Sequence, residues 1–322
     1  MGTKLSIWKQ GQFYPSLGKK EIELPYDVQP GPSDAMVKIE GISALPDLEG
    51  NFLKGGYSEE ALDAIHTFGA IRLVIDLYEK FYGNSIKWSW QQSGENTPLK
   101  VRIRNSDINA RFLVEHRLIE LDCYGKSEAL IYNCRTVDLV AHETGHAIVN
   151  SIFPKWQNGN PETRGIEEAF CDLTAMFLVL SQQDLCEEII RETKGDLSKS
   201  SILTLFGVGH GYEGNPYREI RSAINSRKYN EYDWSPYAFC EVLVAVLYEI
   251  LTDLFTQDAL FQNTTDKLFN VGALWTKAVI TTYFNCPDEN VSLAEFAMIF
   301  ENNLPTQKEN IKRHFKERGL NY

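Results

Sequence analysis

His142-Glu143-Thr144-Gly145-His146 constrains this chain more than any other stretch. The residues around it, Val137 to Ile148, are apolar at helical spacing. Histidines at i and i+4 stand one above the other on the same helix face. Two imidazole nitrogens can therefore meet one Zn²⁺ from a single rigid element. Glu143 falls beside them, placed to take a proton from a water that the metal activates. Thr136 is a candidate cap for this helix, and Pro154 follows its end.

A zinc ion that keeps one position open needs a third protein ligand. Gly165-Ile166-Glu167-Glu168-Ala169-Phe170-Cys171-Asp172 is the best donor. Its apolar residues again have helical period, and Glu168 and Asp172 share a face at i and i+4. Glu168 is the expected ligand. Asp172 is expected to accept the free N–H of a ligand imidazole, which fixes its tautomer and ring orientation.

With these residues in place, the chain resembles the thermolysin-like metallopeptidases. Val137 to Ile148 looks like that family's first zinc helix, and Glu167-Glu168-Ala169-Phe170-Cys171-Asp172 resembles its Asn-Glu-x-x-x-Asp helix. Asn109-Ala110-Arg111-Phe112 resembles its Asn-Ala-Phe-Trp stretch, and the resemblance implies that Asn109 and Ala110 hold the substrate backbone. Ile220-Arg221-Ser222-Ala223-Ile224-Asn225 resembles its Leu-Arg-Ser-Met segment, which implies that Arg221 binds the substrate carbonyl past the scissile bond. The similarity runs at least from Leu45 to Tyr248, with the motifs in the family's order.

The departures are specific. Glu167 stands where the family has Asn; the extra carboxylate could pair with His146 and makes the site more negative. The family's Tyr between the zinc helices has no match beyond Phe153 and Trp156 nearby. The family's transition-state His aligns with Tyr237, and His210 in Gly207-Val208-Gly209-His210-Gly211-Tyr212 is the rival. Val179 and Leu180 occupy the stretch of the family's calcium-binding acids, so calcium is not expected at the double site. Asp138 reads as a first-turn acid favoured by the helix dipole.

Composition enters as a filter on partners. The 322 residues carry a net charge of −12, with 43% hydrophobic and 24% charged residues. That argues against a nucleic-acid partner, which needs clustered Lys and Arg. The longest apolar helix, Pro236 to Phe255, carries Glu241, Glu249 and Asp253 and reads as core, so no membrane span is expected. Six scattered cysteines show no metal spacing and read as buried thiols. Cys123 and Cys134, flanking a hairpin, could pair in an oxidising compartment. Polar residues follow Met1 at once, so no secretory signal is read; the expected location is the cytoplasm or export by a leaderless route.

Residues 1–57 read as strands and turns. Ser58 caps a helix through Tyr82, Leu99 to Arg104 alternates as a strand, and 116–122 and 128–134 form two more around Gly125. Ser292 with Glu295, and Thr306 with Glu309, have capping-box spacing. The expected fold is α+β with two lobes. A β-rich lobe, residues 1–153, ends in the zinc helix; an α-helical lobe spans 154–322; the zinc helix and the substrate cleft lie between them. The resemblance implies a zinc-dependent endopeptidase with one zinc per chain, Glu143 as general base and a peptide or protein as partner. Two further classes remain compatible. One is a catalytically silent zinc protein serving as a binding module. The other is an effector or toxin protease restricted to one host protein.

Overall fold

Leu5 and Ile7 alternate with polar residues in Thr3–Trp8, and this period of two makes the first strand, β1. β1 pairs antiparallel with β2 (Lys19–Leu24), with Leu5 opposite Ile22. The computed structural model describes residues 2–105, 109–124, 130–208, 219–257 and 264–322. After β3 (Val37–Ile39) comes the long helix α1 (Glu59–Tyr82). Ser58 caps it as expected: its Oγ accepts the N–H of Ala61 at 3.2 Å. Gly83, at φ 79°, ends it with an N–H to the Glu79 carbonyl. Gly69 lets β1 lie against α1. A Cβ there would come within 2.4 Å of Leu5 Cδ1 and 2.7 Å of Ile7 Cγ2.

A short helix, α2 (Ser89–Gln92), precedes β4 (Leu99–Ile103), β5 (Ala110–Leu113) and β6 (Leu118–Leu121). These strands and β3 form a four-stranded sheet in the order β3-β4-β6-β5. β5 lies at its edge, antiparallel to β6, with Ala110 opposite Leu121 and Arg111 opposite Glu120. β7 (Cys123–Tyr124) and β8 (Ile131–Tyr132) make a small antiparallel pair.

α3 (Val137–Ile152) follows, buried along almost its whole length. Thr136 does not cap it. The Thr136 Oγ1 is buried and makes no hydrogen bond. Asp138 has the larger role at this end, and it exceeds a simple dipole interaction. Its Oδ1 accepts the N–H of Leu139 at 3.1 Å, and its Oδ2 accepts the N–H of Gly207 at 2.7 Å.

Helices dominate beyond this point. α4 (Pro161–Leu180) is capped by Asn160, whose Oδ1 accepts the N–H of Thr163. α5 (Gln183–Thr193) leads to the two-residue strands β9 (Leu205–Phe206) and β10 (Arg221–Ser222), which pair antiparallel. Then come α6 (Pro236–Thr256), α7 (Thr265–Phe284), α8 (Leu293–Asn303) and α9 (Lys308–Glu317). Ser292 and Glu295 form the expected capping box. Thr306 and Glu309 do not, because Pro305 opens a 3-10 turn over Pro305–Gln307 and delays α9 to Lys308.

The chain divides into two compact units. The first contains Met1–Asp76, Ile86–Ser151 and Gly207–Arg218; the second contains Leu77–Ser85, Ile152–Phe206 and Glu219–Tyr322. The first unit holds β1 to β8 and nearly all of α3. The second is built on α4 to α9, where aromatic side chains interlock. Tyr283 stands edge-on to Phe170 at 4.8 Å, and Trp275 to Phe177 at 5.5 Å. Gly165 sets how closely α4 meets α6: a Cβ there would lie 2.5 Å from Phe239 Cβ and 2.7 Å from the Pro236 carbonyl oxygen. All six cysteines are free thiols, so Cys123 and Cys134 are not joined. No described helix is long and apolar enough to cross a membrane.

Candidate metal centre

α3 presents its two histidines as their spacing requires. The rings of His142 and His146 lie 4.9 Å apart between centroids, tilted by 75°. Glu143 is on the same turn and is buried. The other polar side chain of this stretch is engaged locally, since Thr144 Oγ1 donates to the Val140 carbonyl at 2.7 Å. Two imidazoles one turn apart on a rigid helix suit the ligand preferences of zinc, and the neighbouring carboxylate suits a proton acceptor.

Asn109 and Ala110 belong to the same unit, at the start of the edge strand. The Asn109 carbonyl accepts from the Asp122 N–H and from Asn133 Nδ2, both at 2.9 Å. Those bonds fix where β5 begins. The Ala110 N–H donates to Asn109 Oδ1 at 3.0 Å. Beside them, the buried Glu120 accepts from Arg111 at 2.8 and 2.9 Å and from Arg102 at 3.1 Å, a cross-strand network that stiffens β5 against β6. Sequence reading misses this network, because it depends on strand register.

In the second unit, α4 carries Glu167 and Glu168, both half-buried, and Asp172, which is buried. Both oxygens of Asp172 accept from Arg221 of β10, through Nε and Nη2, each at 2.8 Å. This fork-to-fork pairing is one that the sequence reading does not contain. Burial opposes charge on the Arg221 guanidinium, but the carboxylate of Asp172 outweighs it and holds the pKa above its ordinary value. The buried Cys240 of α6 also faces Asp172, with its Sγ 3.5 Å from Oδ2. Tyr237, on the first turn of α6 and half-exposed, lies under Arg221, whose guanidinium carbon is 5.3 Å from the ring centroid. The negative charge of Glu168, then burial, push the Tyr237 pKa up, so its hydroxyl stays a donor at neutral pH. Arg221, Asp172 and Tyr237, matched to separate jobs by sequence, thus form one connected group. Cys240 is the member that sequence reading misses. Its only signal is the spacing i, i+3 from Tyr237, which puts both on one face of α6.

Other expected positions resolve differently. Phe153 stacks on Trp156 at 4.3 Å and both are buried, so they serve the core. Val179 and Leu180 are core residues as well. His210 lies outside the described residues.

Compared with known proteins, no family profile matches the chain, and no curated protein matches it by sequence. Solved structures do match. The precursor of protealysin, a metalloproteinase from Serratia proteamaculans, superposes with a TM-score of 0.55. The chain folds like a metalloproteinase precursor. The two are 12% identical, and the alignment covers 90% of this chain and 88% of that one. The α+β, thermolysin-like fold expected from the motifs is therefore present. At this identity the likeness establishes the fold, and the chemistry must be argued from the side chains.

Proposed function

We propose that this protein is a zinc-dependent peptidase, and within that class an endopeptidase. The observation that carries the proposal is the pair His142 and His146 on one face of α3, 4.9 Å ring to ring, with Glu143 in the same turn. The metalloproteinase-like fold supports it. His142, His146 and Glu168 are the proposed zinc ligands, one zinc per chain. When bound, the zinc acidifies a water molecule and polarises the carbonyl of the scissile peptide.

The protein's own groups do the rest. Glu143 accepts the proton of the attacking water and later passes it to the departing nitrogen. Tyr237 donates its O–H to the carbonyl oxygen as negative charge grows there. Asn109 and Ala110 hold an extended substrate backbone. β5 suits this, because β6 is its only strand partner among the described residues and its other edge can take an added strand. Arg221, held by Asp172, supplies a fixed cation for a substrate carbonyl. Glu167 tempers the positive charge around the ligands.

The test is zinc content followed by turnover on a quenched-fluorescence peptide library, with Glu143→Gln as control. Zinc should stay near one per chain in both proteins. Turnover should fall by about 10²–10⁴-fold in the variant, the usual worth of a positioned proton acceptor. Equal inactivity of wild type and variant on every peptide would favour the binding-module reading.

A further inference from the structure

We infer that Cys240 is a positioning residue for this site: its S–H locks the carboxylate of Asp172 so that Arg221 is held in one pose across the ring of Tyr237. The inference rests on the peptidase reading for its kinetic consequence and on the geometry around Asp172 for the rest. Asp172 Oδ2 receives Arg221 Nε at 2.8 Å and Cys240 Sγ at 3.5 Å, while Oδ1 receives Arg221 Nη2 at 2.8 Å. Cys240 is fully buried and Asp172 nearly so. A thiol in an apolar pocket packs as a small hydrophobe. This one is aimed instead at a buried carboxylate that an arginine already engages. Burial, then the charge of Asp172, keep the thiol protonated, so its S–H is available to donate to the carboxylate.

The elements leave little slack. Gly165 allows α4 and α6 to touch backbone to side chain, and a Cβ there would also lie 3.3 Å from the Cys240 amide nitrogen. α6 therefore delivers Cys240 and Tyr237 from one face at fixed depth, the first to Asp172 and the second beneath Arg221. Without the S–H, Oδ2 loses this donor, and the carboxylate is held less firmly against rotation about its Cβ–Cγ bond. Arg221 would follow it and slide from the Tyr237 ring.

The experiment compares Cys240→Ala and Cys240→Ser with wild type. Serine restores a donor of similar size; alanine does not. The first readout is the rate at which phenylglyoxal modifies Arg221 in the zinc-loaded protein, followed by peptide mapping. Wild type and Cys240→Ser should protect Arg221, and Cys240→Ala should be modified about tenfold faster, the scale of losing a hydrogen bond to a charged group. The second readout is turnover: kcat should fall by about tenfold in Cys240→Ala with serine restoring it, a usual effect of removing an outer support of a metal site. Equal protection of Arg221 in all three proteins overturns the inference, as does loss in Cys240→Ser that matches loss in Cys240→Ala. If no protein turns over any peptide while Arg221 protection still follows the donor, the peptidase reading fails and the positioning role stands.

Discussion

Arg221 and Asp172, separated by 49 residues in sequence, form a two-point ion pair with both N···O distances at 2.8 Å. The carboxylate is 2% exposed and the guanidinium 15%, so water does little to relieve either charge if the other is removed. Breaking such a pair from one side costs about 3–5 kcal/mol, most of it the isolated charge that remains. Asp172→Ala should therefore lower stability by roughly that amount. Asp172→Asn keeps one acceptor and should lose less. Urea unfolding of the three proteins checks the order, and a loss near zero for Asp172→Ala would show that Arg221 finds another partner.

The crossing of α4 and α6 makes the opposite prediction from helix propensity. Alanine is normally better than glycine inside a helix by about 1 kcal/mol. At position 165 the added methyl would meet Phe239 Cβ at 2.5 Å and the Pro236 carbonyl at 2.7 Å. Neither neighbour is the loose end of a side chain. Overpacking of this kind costs about 1–3 kcal/mol, so Gly165→Ala should be destabilising overall. It should also lower turnover, since Tyr237 and Cys240 follow Pro236 on α6. A urea midpoint at or above that of wild type would refute the close crossing.

What the sequence makes legible is local. Histidines at i and i+4, Ser58 before an acidic first turn, and Ser292 with Glu295 each state their geometry within one turn of helix, and each is found. Thr136 and Thr306 have the same local form and fail, because the surrounding chain overrides them. Thr136 Oγ1 is left without a partner, and Pro305 starts its own turn. The Asp172, Arg221 and Cys240 group is not legible at all, since it joins α4, β10 and α6 and no spacing encodes their meeting. The resemblance to thermolysin-like enzymes names Asp172 and Arg221 but not their pairing. It offers nothing for Cys240, which composition alone files with the ordinary buried thiols.

Removing either proposed histidine ligand separates metal binding from folding. His146→Ala should leave the helical content intact, because α3 is held by the apolar residues that bury its length. Zinc content should drop well below that of wild type, since a catalytic site needs three protein ligands. Chelation of the wild-type protein should likewise abolish turnover and leave the circular dichroism spectrum in place. Unfolding on chelation would instead mean that the metal is structural.

The seam between α6 and α9 should give the protein a pH dependence unrelated to the metal. His314 of α9 is buried, with Nδ1 3.2 Å from Glu249 and Nε2 2.8 Å from Asp253 of α6. Arg318 also pairs with Glu249, Arg313 pairs with Asp253, and Glu317 lies 3.9 Å from His314 Nδ1. Burial works against a charged imidazole here, but the close carboxylates of Glu249 and Asp253 outweigh it and raise the pKa above its usual 6.5. Burial likewise opposes charge on Glu249, and His314 and Arg318 overcome it, lowering that pKa below its usual 4.5. A raised folded pKa means that the His314 contribution is complete below about pH 6.5 and fades as pH climbs through the folded value. The Glu249 contribution is complete above about pH 4.5 and fades as pH drops through its lowered value. The seam should thus be tightest between these limits and weaker on the alkaline side. Urea midpoints at pH 6 and at pH 8.5 should differ in wild type in favour of the acid side, and the difference should shrink in His314→Gln. A variant with the same pH dependence as wild type would place the titrating group elsewhere.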